Sequence, residues 1–368
     1  LGPNWQAGLL LLGADNLVSD PGVEGDASTR TGTFGTRGTL GALSLAHAHG
    51  DWQGRLQLYD NRGSSHWNNP TAAVVHSTFQ LSGLRWRETL KPWAGAELVA
   101  GLDIDRMQGS VAFNGFTAFD GVSLRLTSPY LALAHTLAVG PGWTLTPSAG
   151  VRLYRHSILG NSTAPHAGLV LAQGDALALR LTAARGLNHP GLDAALLNAI
   201  VPPLAGAPDS WRTLQPEQMD HVELGARWAP ARGMALDVAL FHDDLKHRYL
   251  FAFPPVVAMP SLTNLGSYRV RGAEATWQQQ WGPAWSSFAG LTLLSGSLDD
   301  LPYAPKRALA AGLTWRTGAW RVSADGEWQT SHGLDARRMM QATHLVWATG
   351  GGMVPAEEME KYLACARI

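Results

Sequence analysis

The stretch Trp320-Arg321-Val322-Ser323-Ala324-Asp325-Gly326-Glu327-Trp328 alternates between polar residues and apolar or small ones. Arg321, Ser323, Asp325 and Glu327 share one face of an extended chain, because successive side chains of a strand point to opposite faces. The pattern is typical of a β-strand with one hydrated face and one apolar face.

The same alternation returns along most of the chain. It is clear at residues 52–59, 96–105 and 143–154. About fifteen such segments can be marked, each roughly nine residues or longer, which is the length that a tilted strand needs to cross a bilayer. Strands of ordinary globular domains are shorter. The sequence therefore predicts an all-β fold in which antiparallel transmembrane strands follow one another as an up-and-down meander.

Two kinds of connection alternate between these segments. Short turns rich in Gly, Pro and Asp are predicted at 50–51, 91–92, 140–142, 174–175, 230–233, 282–283 and 317–318, and long polar loops at 16–37, 61–77, 106–120, 156–165, 187–217, 252–264 and 295–306. Short periplasmic turns and long extracellular loops are the anatomy of outer-membrane barrels. The loops therefore mark the extracellular side.

The 15 tryptophans give a signal that does not depend on periodicity. Many of them fall at the turn-proximal ends of the predicted strands, namely Trp5, Trp52, Trp86, Trp93, Trp143, Trp228, Trp281, Trp285, Trp315 and Trp320. An indole at a bilayer interface buries its ring and keeps its N–H hydrated. The distribution predicts an aromatic girdle at one membrane interface.

Composition narrows the functional class. The 28 Lys and Arg nearly balance the 29 Asp and Glu, so the net charge of −1 gives no reason to expect a nucleic-acid partner. Apolar runs are all shorter than the roughly 18 residues of a membrane-spanning helix. The single cysteine, Cys365, excludes internal disulfides. The chain starts at Leu1 without a signal-like segment, so we expect a mature chain or a fragment.

Four motifs between about residues 164 and 318 occur in an order that resembles the barrel of TonB-dependent outer-membrane receptors. They are Leu214–Gly225 (LQPEQMDHVELG), Phe241–Lys246 (FHDDLK), Asn264–Glu274 (NLGSYRVRGAE) and Leu301–Arg307 (LPYAPKR). The resemblance implies a partial barrel with about 15 of the 22 strands that close such a transporter. So few strands would leave two unpaired edges in lipid.

The resemblance also implies a function and partners. It implies uptake of a scarce nutrient across the bacterial outer membrane, with a ferric siderophore favoured among small metal chelates. The partners would be outer-membrane lipid, the chelate, and a TonB-type energy-transducing complex acting through a plug domain that does not precede Leu1. We expect residues 1–333 to be the partial barrel and residues 334–368 to be an atypical tail, either a short helix or a truncation scar.

Two alternatives remain open at this point. One is a passive outer-membrane porin, which would have no plug sequence in the complete gene. The other is a soluble or surface β-rich binding protein, which would cover its apolar strand faces with a second sheet. The residues to be covered would be Leu98, Leu102, Ile104, Leu309, Leu313 and Trp315.

Several strand positions carry physical expectations of their own. Gly225 and Gly272 lie inside strands, where a glycine permits a bend or a close backbone approach. Glu223 and Glu274 are expected to face the hydrated lumen, opposite Arg227 or Arg271, because a carboxylate is costly in lipid.

Catalytic motifs such as H-E-x-x-H, G-x-S-x-G and C-x-x-C are absent from the sequence. We therefore predict no enzyme, and no catalytic, cofactor-binding or metal-binding residues. The pair His47 and His49 adjoins a short turn, away from the loop side, so an interfacial role is favoured over a metal site. Long loops commonly carry function, and the candidate ligand contacts in or beside them are His66, Trp67, His156, His189, Trp211, Arg212 and Tyr249.

Overall fold

The computed structural model describes residues 2–20, 31–70, 73–200, 209–252, 258, 260–264, 266–297 and 305–330. The predicted tail at 334–368 and its boundary at residue 333 lie outside the described residues, as does most of the motif at 301–307. Within the described part, no helix is long and apolar enough to cross a bilayer.

Strands dominate the described residues. In chain order they are β1 (Trp5–Asp20), β2 (Gly32–His49), β3 (Trp52–Asn68), β4 (Val74–Leu90), β5 (Ala96–Phe113), β6 (Phe116–Phe119), β7 (Ser123–His135), β8 (Leu137–Gly140), β9 (Trp143–His156), β10 (Gly160–Gln173), β11 (Leu177–Asn188), β12 (Glu217–Trp228), β13 (Met234–Lys246), β14 (Tyr249–Ala252), β15 (Ser261–Asn264), β16 (Tyr268–Trp281), β17 (Trp285–Gly296), β18 (Arg307–Thr317) and β19 (Trp320–Gln329). Helix α1 (Leu192–Ile200) and a 3-10 helix (Ser210–Thr213) lie between β11 and β12.

Fifteen of these strands are long, with 10 to 18 residues each, and they form an antiparallel meander. Each long strand pairs with the next long strand along the chain, so β5 pairs with β7, β7 with β9 and β13 with β16. Strands β14 and β15 form a separate hairpin. Among the described residues β1 and β19 each pair on one side only, so this part of the barrel is not closed. The predicted fold class and the predicted number of strands are confirmed.

The predicted short turns are all found between consecutive strands. Two of them show why a glycine is needed. Gly50 has a φ of 60° and Gly282 a φ of 70°, a backbone conformation that costs glycine little because it has no Cβ.

The prediction of long loops is wrong at three places, and the described ends of the predicted loop at 16–37 also belong to strands β1 and β2. Strand β5 continues to Phe113 and β6 covers Phe116–Phe119, so the predicted loop at 106–120 is mostly strand. Strand β3 continues to Asn68 and β4 starts at Val74, which leaves a short connection within the predicted loop at 61–77. Strand β10 begins at Gly160, so the predicted loop at 156–165 is mostly strand. The physical reason is that strands extend beyond the bilayer, where water solvates both faces and polar residues do not end the backbone ladder.

Three lateral rows of apolar residues run across the outward face of the sheet, and we call them the apolar band. The rows are Leu9-Leu43-Leu58-Leu84-Ile104, Leu169-Leu181-Leu224-Leu240, and Leu171-Leu179-Ala226-Val238-Ala275-Leu291-Leu309-Trp328, each built from directly opposite partners. Leu9 and Leu224 remain 70% and 56% exposed. A band of this kind faces lipid, and alternation sends the polar residues of the same strands into the lumen.

The tryptophan girdle lies at the turn end of the outward face, as predicted. Its best-defined part is centred on Glu88, whose carboxylate accepts hydrogen bonds from Trp52 Nε1 at 2.8 Å and Trp86 Nε1 at 2.9 Å. His47 Nε2 lies 3.1 Å from the same carboxylate, and the Trp5 ring contacts the His47 ring at 5.0 Å. These contacts give His47 the interfacial position that the sequence favoured.

The lumenal face carries ion pairs, and their partners differ from those expected from the sequence. Glu223 faces the lumen but pairs with Arg180 (2.9 Å), while Arg227 pairs with Asp237 (2.9 Å). Arg271 lies on the outward face, where its Nε donates to His242 at 3.2 Å. The expected pairing of a lumenal glutamate with Arg227 or Arg271 is therefore wrong. The reason is the antiparallel register, which places Arg180 opposite Gly225 and so beside Glu223.

Side chains of neighbouring strands lie close to the backbone at Gly225 and Gly272, as the sequence predicts. A Cβ at Gly225 would lie 2.4 Å from the Arg180 guanidinium, and a Cβ at Gly272 would lie 2.2 Å from the Phe241 ring and 2.9 Å from Leu294. Both glycines therefore permit close approach.

Replacing Gly272 by valine is expected to destabilise the sheet by about 1–3 kcal/mol, because the Phe241 ring cannot move away as freely as an arginine can. Gly290→Val is the matched control, since a Cβ at Gly290 meets nothing within 4 Å. Urea unfolding of the detergent-solubilised chain, followed by tryptophan fluorescence, measures both. Equal midpoints for the two variants would contradict the close-approach argument.

Candidate ligand-binding site at the loop end

Helix α1, the 3-10 helix and the β14–β15 hairpin form one structure at the loop end of the sheet, which we call the mouth cap. It packs on inward-facing residues of β5, β6 and β7. The buried cluster that joins the two consists of Val111, Phe119, Leu124, Ala194, Ala195, Trp211, Leu214 and Leu262. The mouth cap therefore covers part of the lumenal entrance.

A buried amide holds the parts of the mouth cap together. Asn198 of α1 is 2% exposed, and its Oδ1 accepts hydrogen bonds from Ser210 Oγ (2.7 Å) and from the Trp211 backbone N–H (3.1 Å). Ser210 Oγ in turn accepts from the Leu262 backbone N–H at 3.2 Å. Trp211 is 3% exposed, so a ligand can reach its indole only if the mouth cap moves.

Arg212 and Tyr249 border the same cluster. The Arg212 guanidinium lies 4.5 Å from the centroid of the Trp211 ring, and its Nε pairs with Asp209 at 2.8 Å. Burial, and then the nearby carboxylates of Asp193 and Glu217, raise the pKa of the Tyr249 phenol to about 12. At neutral pH this phenol is protonated and can donate a hydrogen bond.

His156 and His189 meet although they come from different connections. Their rings are stacked, with centroids 5.7 Å apart and planes inclined by 4°, and the Tyr154 ring lies 5.3 Å from His189. His156 Nδ1 accepts the backbone N–H groups of Ile158 (3.1 Å) and Leu159 (3.0 Å). In the neutral ring the proton is then on Nε2, which is buried and has no protein partner among the described residues.

Burial, and secondarily the neighbouring His156, lower the pKa of His189 to about 4. The ring is therefore neutral in the folded chain at pH 7, whereas an exposed histidine titrates near pH 6.5. Since the unfolded or detached segment binds the proton more readily, the contact of His189 with the rim is fully stable above about pH 6.5. It weakens as the pH falls from about 6.5 towards 4.

We expect acidification from pH 7.5 to pH 5 to increase amide hydrogen exchange around residues 187–192 several-fold, after correction for intrinsic exchange rates. The reason is that protonated His189 cannot remain in its buried position without cost. The variant His189→Phe keeps an aromatic ring and loses the titration of His189, so its exchange should respond less to this pH step than that of the wild type. The remaining response would come from His156, whose pKa is also lowered by burial. A wild-type exchange profile that is independent of pH would refute the assignment.

Trp67 lies on the inward face of β3 and lines a cavity. Its Nε1 donates to Asp20 Oδ2 at 2.6 Å, and the cavity of about 540 Å³ is also lined by Val18, Phe34 and Val75. That volume is in the range of small-molecule sites. His66, in contrast, lies on the outward face, opposite His76.

The seven candidate residues therefore do not form one site in the structure. Trp67 lies in the cavity, His156 and His189 form the stacked pair, and Trp211, Arg212 and Tyr249 belong to the mouth cap, whereas His66 faces outward. Sequence reasoning missed Asp20, Phe34 and Tyr154. The inward alternation of β1, β2 and β9 could have placed them on the lumenal face, but not beside Trp67 and His189.

Comparison with known proteins decides the family. The sequence model of the TonB dependent receptor-like β-barrel matches residues 2–348, which is nearly the whole chain. The chain belongs to this family. Its members are outer-membrane transport receptors, so the predicted localisation and the absence of enzymatic function are confirmed. Membership also favours a receptor over a porin, and it places the exposed Leu309 and Leu313 against lipid rather than a second sheet.

Solved structures of receptors share the fold. The alcaligin outer membrane receptor FauA from Bordetella pertussis is 15% identical, with a TM-score of 0.63 over 90% of this chain and 58% of that protein. The FrpB iron transporter from Neisseria meningitidis is 12% identical, with a TM-score of 0.65 over 88% and 56%. The siderophore receptor PirA from Pseudomonas aeruginosa is 15% identical, with a TM-score of 0.61 over 90% and 64%. This chain spans little more than half of such receptors.

A short part of the sequence is similar to an unrelated group. A segment of 58 residues is 66% identical to the probable D-serine dehydratase of Aeromonas salmonicida, and this is 16% of this chain and 13% of that protein. A match of 57 residues to the D-serine dehydratase of Serratia proteamaculans is 60% identical, over the same shares of the two chains. Because the chain spans about one eighth of these relatives, they do not alter the family assignment.

Proposed function

We propose that the chain is the ligand-capturing part of a TonB-dependent uptake receptor for a small metal chelate, and that its cargo is a ferric siderophore. The observation that supports this proposal is the construction of the loop end. An open aromatic cavity lies there, and its lining residue Val75 packs against the buried cluster of the mouth cap, which also borders the Tyr249 phenol.

The donors suit the organic shell of a chelate better than a bare metal ion. The Tyr249 phenol can donate to carbonyl, hydroxamate or catecholate oxygens, while Trp67 and Phe34 offer aromatic surface. The buried His156 Nε2–H can donate to such a ligand only if the residues that cover it move. Among the described residues, no cluster of three or more His, Cys, Asp or Glu could hold a metal ion. Recognition would therefore act on the ligand that surrounds the metal.

The lumenal ion pairs give the proposed cargo a hydrated surface below this site. Arg85 pairs with Asp105 at 2.6 Å, and Arg152 pairs with Asp103 at 2.7 Å. In the complete receptor we propose a plug domain against this surface, displaced by a TonB-type complex. The solved receptors for alcaligin and other siderophores support this cargo class by likeness of fold alone.

A fluorescence titration tests the proposal. The detergent-solubilised chain would be titrated with a ferric hydroxamate, a ferric catecholate and the two iron-free ligands. We expect saturable quenching by one ferric chelate, weakened about tenfold in Trp67→Ala, which corresponds to ~1.4 kcal/mol. Trp93→Ala in the girdle is the control and should bind normally. If none of the chelates binds to a chain that shows its sheet by circular dichroism, the proposed cargo class is wrong.

A further inference from the structure

Two histidines lie side by side near the tip of the β3–β4 hairpin, and we call them the histidine pair. His66 of β3 and His76 of β4 are directly opposite partners in the strand register, and both are exposed. Directly opposite residues of antiparallel strands have Cβ atoms about 4.5–5.5 Å apart. Both imidazoles can therefore reach one small ion from their positions on the sheet.

The arrangement of the two rings fits a shared ion. Their centroids are 6.1 Å apart and their planes are inclined by 52°. Because a metal ion lies about 2.0–2.1 Å from a ligating imidazole nitrogen, it lies roughly 3.2 Å from the centroid of that ring. Two rings on one ion then have centroids at most about 6.4 Å apart. The observed separation is within this limit, and a small rotation of either side chain would point both nitrogens at the ion.

The ring nitrogens of the histidine pair are not committed to other groups. Among the described residues, no hydrogen bond or ion pair engages His66 or His76. His47, in contrast, lies 3.1 Å from the Glu88 carboxylate, and His156 Nδ1 accepts two backbone N–H groups. The nitrogens of the pair are therefore free to ligate.

The neighbours of the histidine pair leave room for an ion and its water. On the same lateral row, Gly35 is the partner of His66 and Ala112 is the partner of His76. Neither residue has a side chain that could fill the space beside the rings. An ion held between the rings would therefore remain open to solvent.

The histidine pair lies in water rather than in lipid. His66 is eight residues along β3 from Leu58 of the apolar band, which is about 26 Å at ~3.3 Å per residue. The exposed Arg62 lies between them on the same face, and a charged side chain on this face marks the end of the lipid-facing part. A dissolved ion can therefore reach the pair directly.

The ligand type selects the class of ion. Imidazole nitrogen suits copper, nickel and zinc, whereas Mg²⁺ and Ca²⁺ prefer oxygen ligands. In the order of divalent first-row ions, Cu²⁺ binds most tightly. Two histidines are fewer than the four ligands of a closed structural zinc site, so water must complete the coordination.

We propose that the histidine pair binds a divalent copper, nickel or zinc ion, Cu²⁺ most tightly, through one nitrogen of each ring and with water in the remaining positions. The site does not rest on the proposed uptake of a chelate, because it lies on the opposite face of β3 from Trp67 and its cavity. Its open coordination positions distinguish it from a structural metal site.

Pulsed EPR tests this proposal, because the spectrum of bound Cu²⁺ counts the imidazoles that ligate it. Sub-stoichiometric Cu²⁺ alone would be added to the detergent-solubilised chain without a histidine tag, in a Cys365→Ser background that removes the competing thiol. We expect two imidazoles in this parent chain. We expect one in His66→Gln, with a Cu²⁺ affinity at least about tenfold lower. The control His166→Gln/His242→Gln removes two histidines from strands that do not pair, and it should behave like the parent.

Hydrogen exchange with Zn²⁺ gives a second test on the parent chain alone. An ion that binds both strands stabilises the hairpin against local opening. Zn²⁺ should therefore slow amide exchange in residues 62–80 several-fold, while Mg²⁺ at the same concentration should not.

Three results would overturn the proposal. They are fewer than two imidazoles on Cu²⁺ in the parent chain, equal Cu²⁺ affinity of His66→Gln and the control, and equal effects of Zn²⁺ and Mg²⁺ on exchange in the hairpin. The first and third results require no histidine variant, so they remain decisive if His66→Gln does not fold.

Discussion

Replacement of Trp211 by alanine is expected to detach the mouth cap from the sheet while leaving the sheet folded. The indole is 3% exposed and lies in the cluster that joins α1, the 3-10 helix and β15 to β5–β7. Truncation of a buried tryptophan costs about 3–5 kcal/mol. Trp211 is the largest of the buried mouth-cap side chains in this cluster, so we expect its loss to release the mouth cap and the effect to stay local.

Hydrogen exchange measured by mass spectrometry would show the release of the mouth cap. Amides of residues 192–200 and 210–214 should exchange at least tenfold faster in Trp211→Ala, while those of β12 and β13 should not change. Trp93→Ala is the matched control, since Trp93 is 57% exposed. Unchanged protection of α1 in Trp211→Ala would show that the described cluster does not anchor the mouth cap.

The substitution Leu181→Arg is expected to have the second large effect, which is to destabilise the sheet in the bilayer. Leu181 lies in the apolar band between Leu169 and Leu224, and an arginine on the lipid face near the bilayer centre costs about 2–4 kcal/mol. Thr182→Arg is the control, because Thr182 lies on the lumenal face opposite Glu223. At residue 182 an arginine would be hydrated and could pair with the Glu223 carboxylate.

The two arginine variants would be compared by refolding into phospholipid vesicles from urea. Leu181→Arg should fold with a midpoint shifted to lower urea, and Thr182→Arg should fold close to the wild type. If the lumenal substitution is as harmful as the outward one, the assignment of the two faces is wrong.

The sheet could be predicted from the sequence because its two strongest signals are local. Alternation within one strand places Leu224 outward and Glu223 inward without reference to any partner. A breaker such as Gly282-Pro283 ends a strand wherever the rest of the chain lies. The strand register could not be predicted from these local signals. Arg180 reaches Glu223, for example, only because β11 pairs with β12 in this register.

The site was less predictable because it depends on contacts between distant segments. His156 and His189 could each be placed in a connection, but their stacking results from the way the chain after β11 folds back over β9. Trp211 could not be recognised as a core residue, since its burial depends on Val111, Phe119 and Leu124 of other elements. His66 was assigned to a loop, although β3 continues through it with its side chain outward.

The account rests on which face of the sheet meets lipid, and a spin-label scan of β12 measures this directly. In a Cys365→Ser background, single cysteines at residues 219–226 would be labelled in lipid bilayers, and their accessibility to oxygen and to a water-soluble nickel chelate compared. We predict a period of two, with oxygen accessibility highest at Val222, Leu224 and Ala226 and nickel accessibility highest at His221 and Glu223. An inverted pattern, or accessibility without a period of two, would contradict the account.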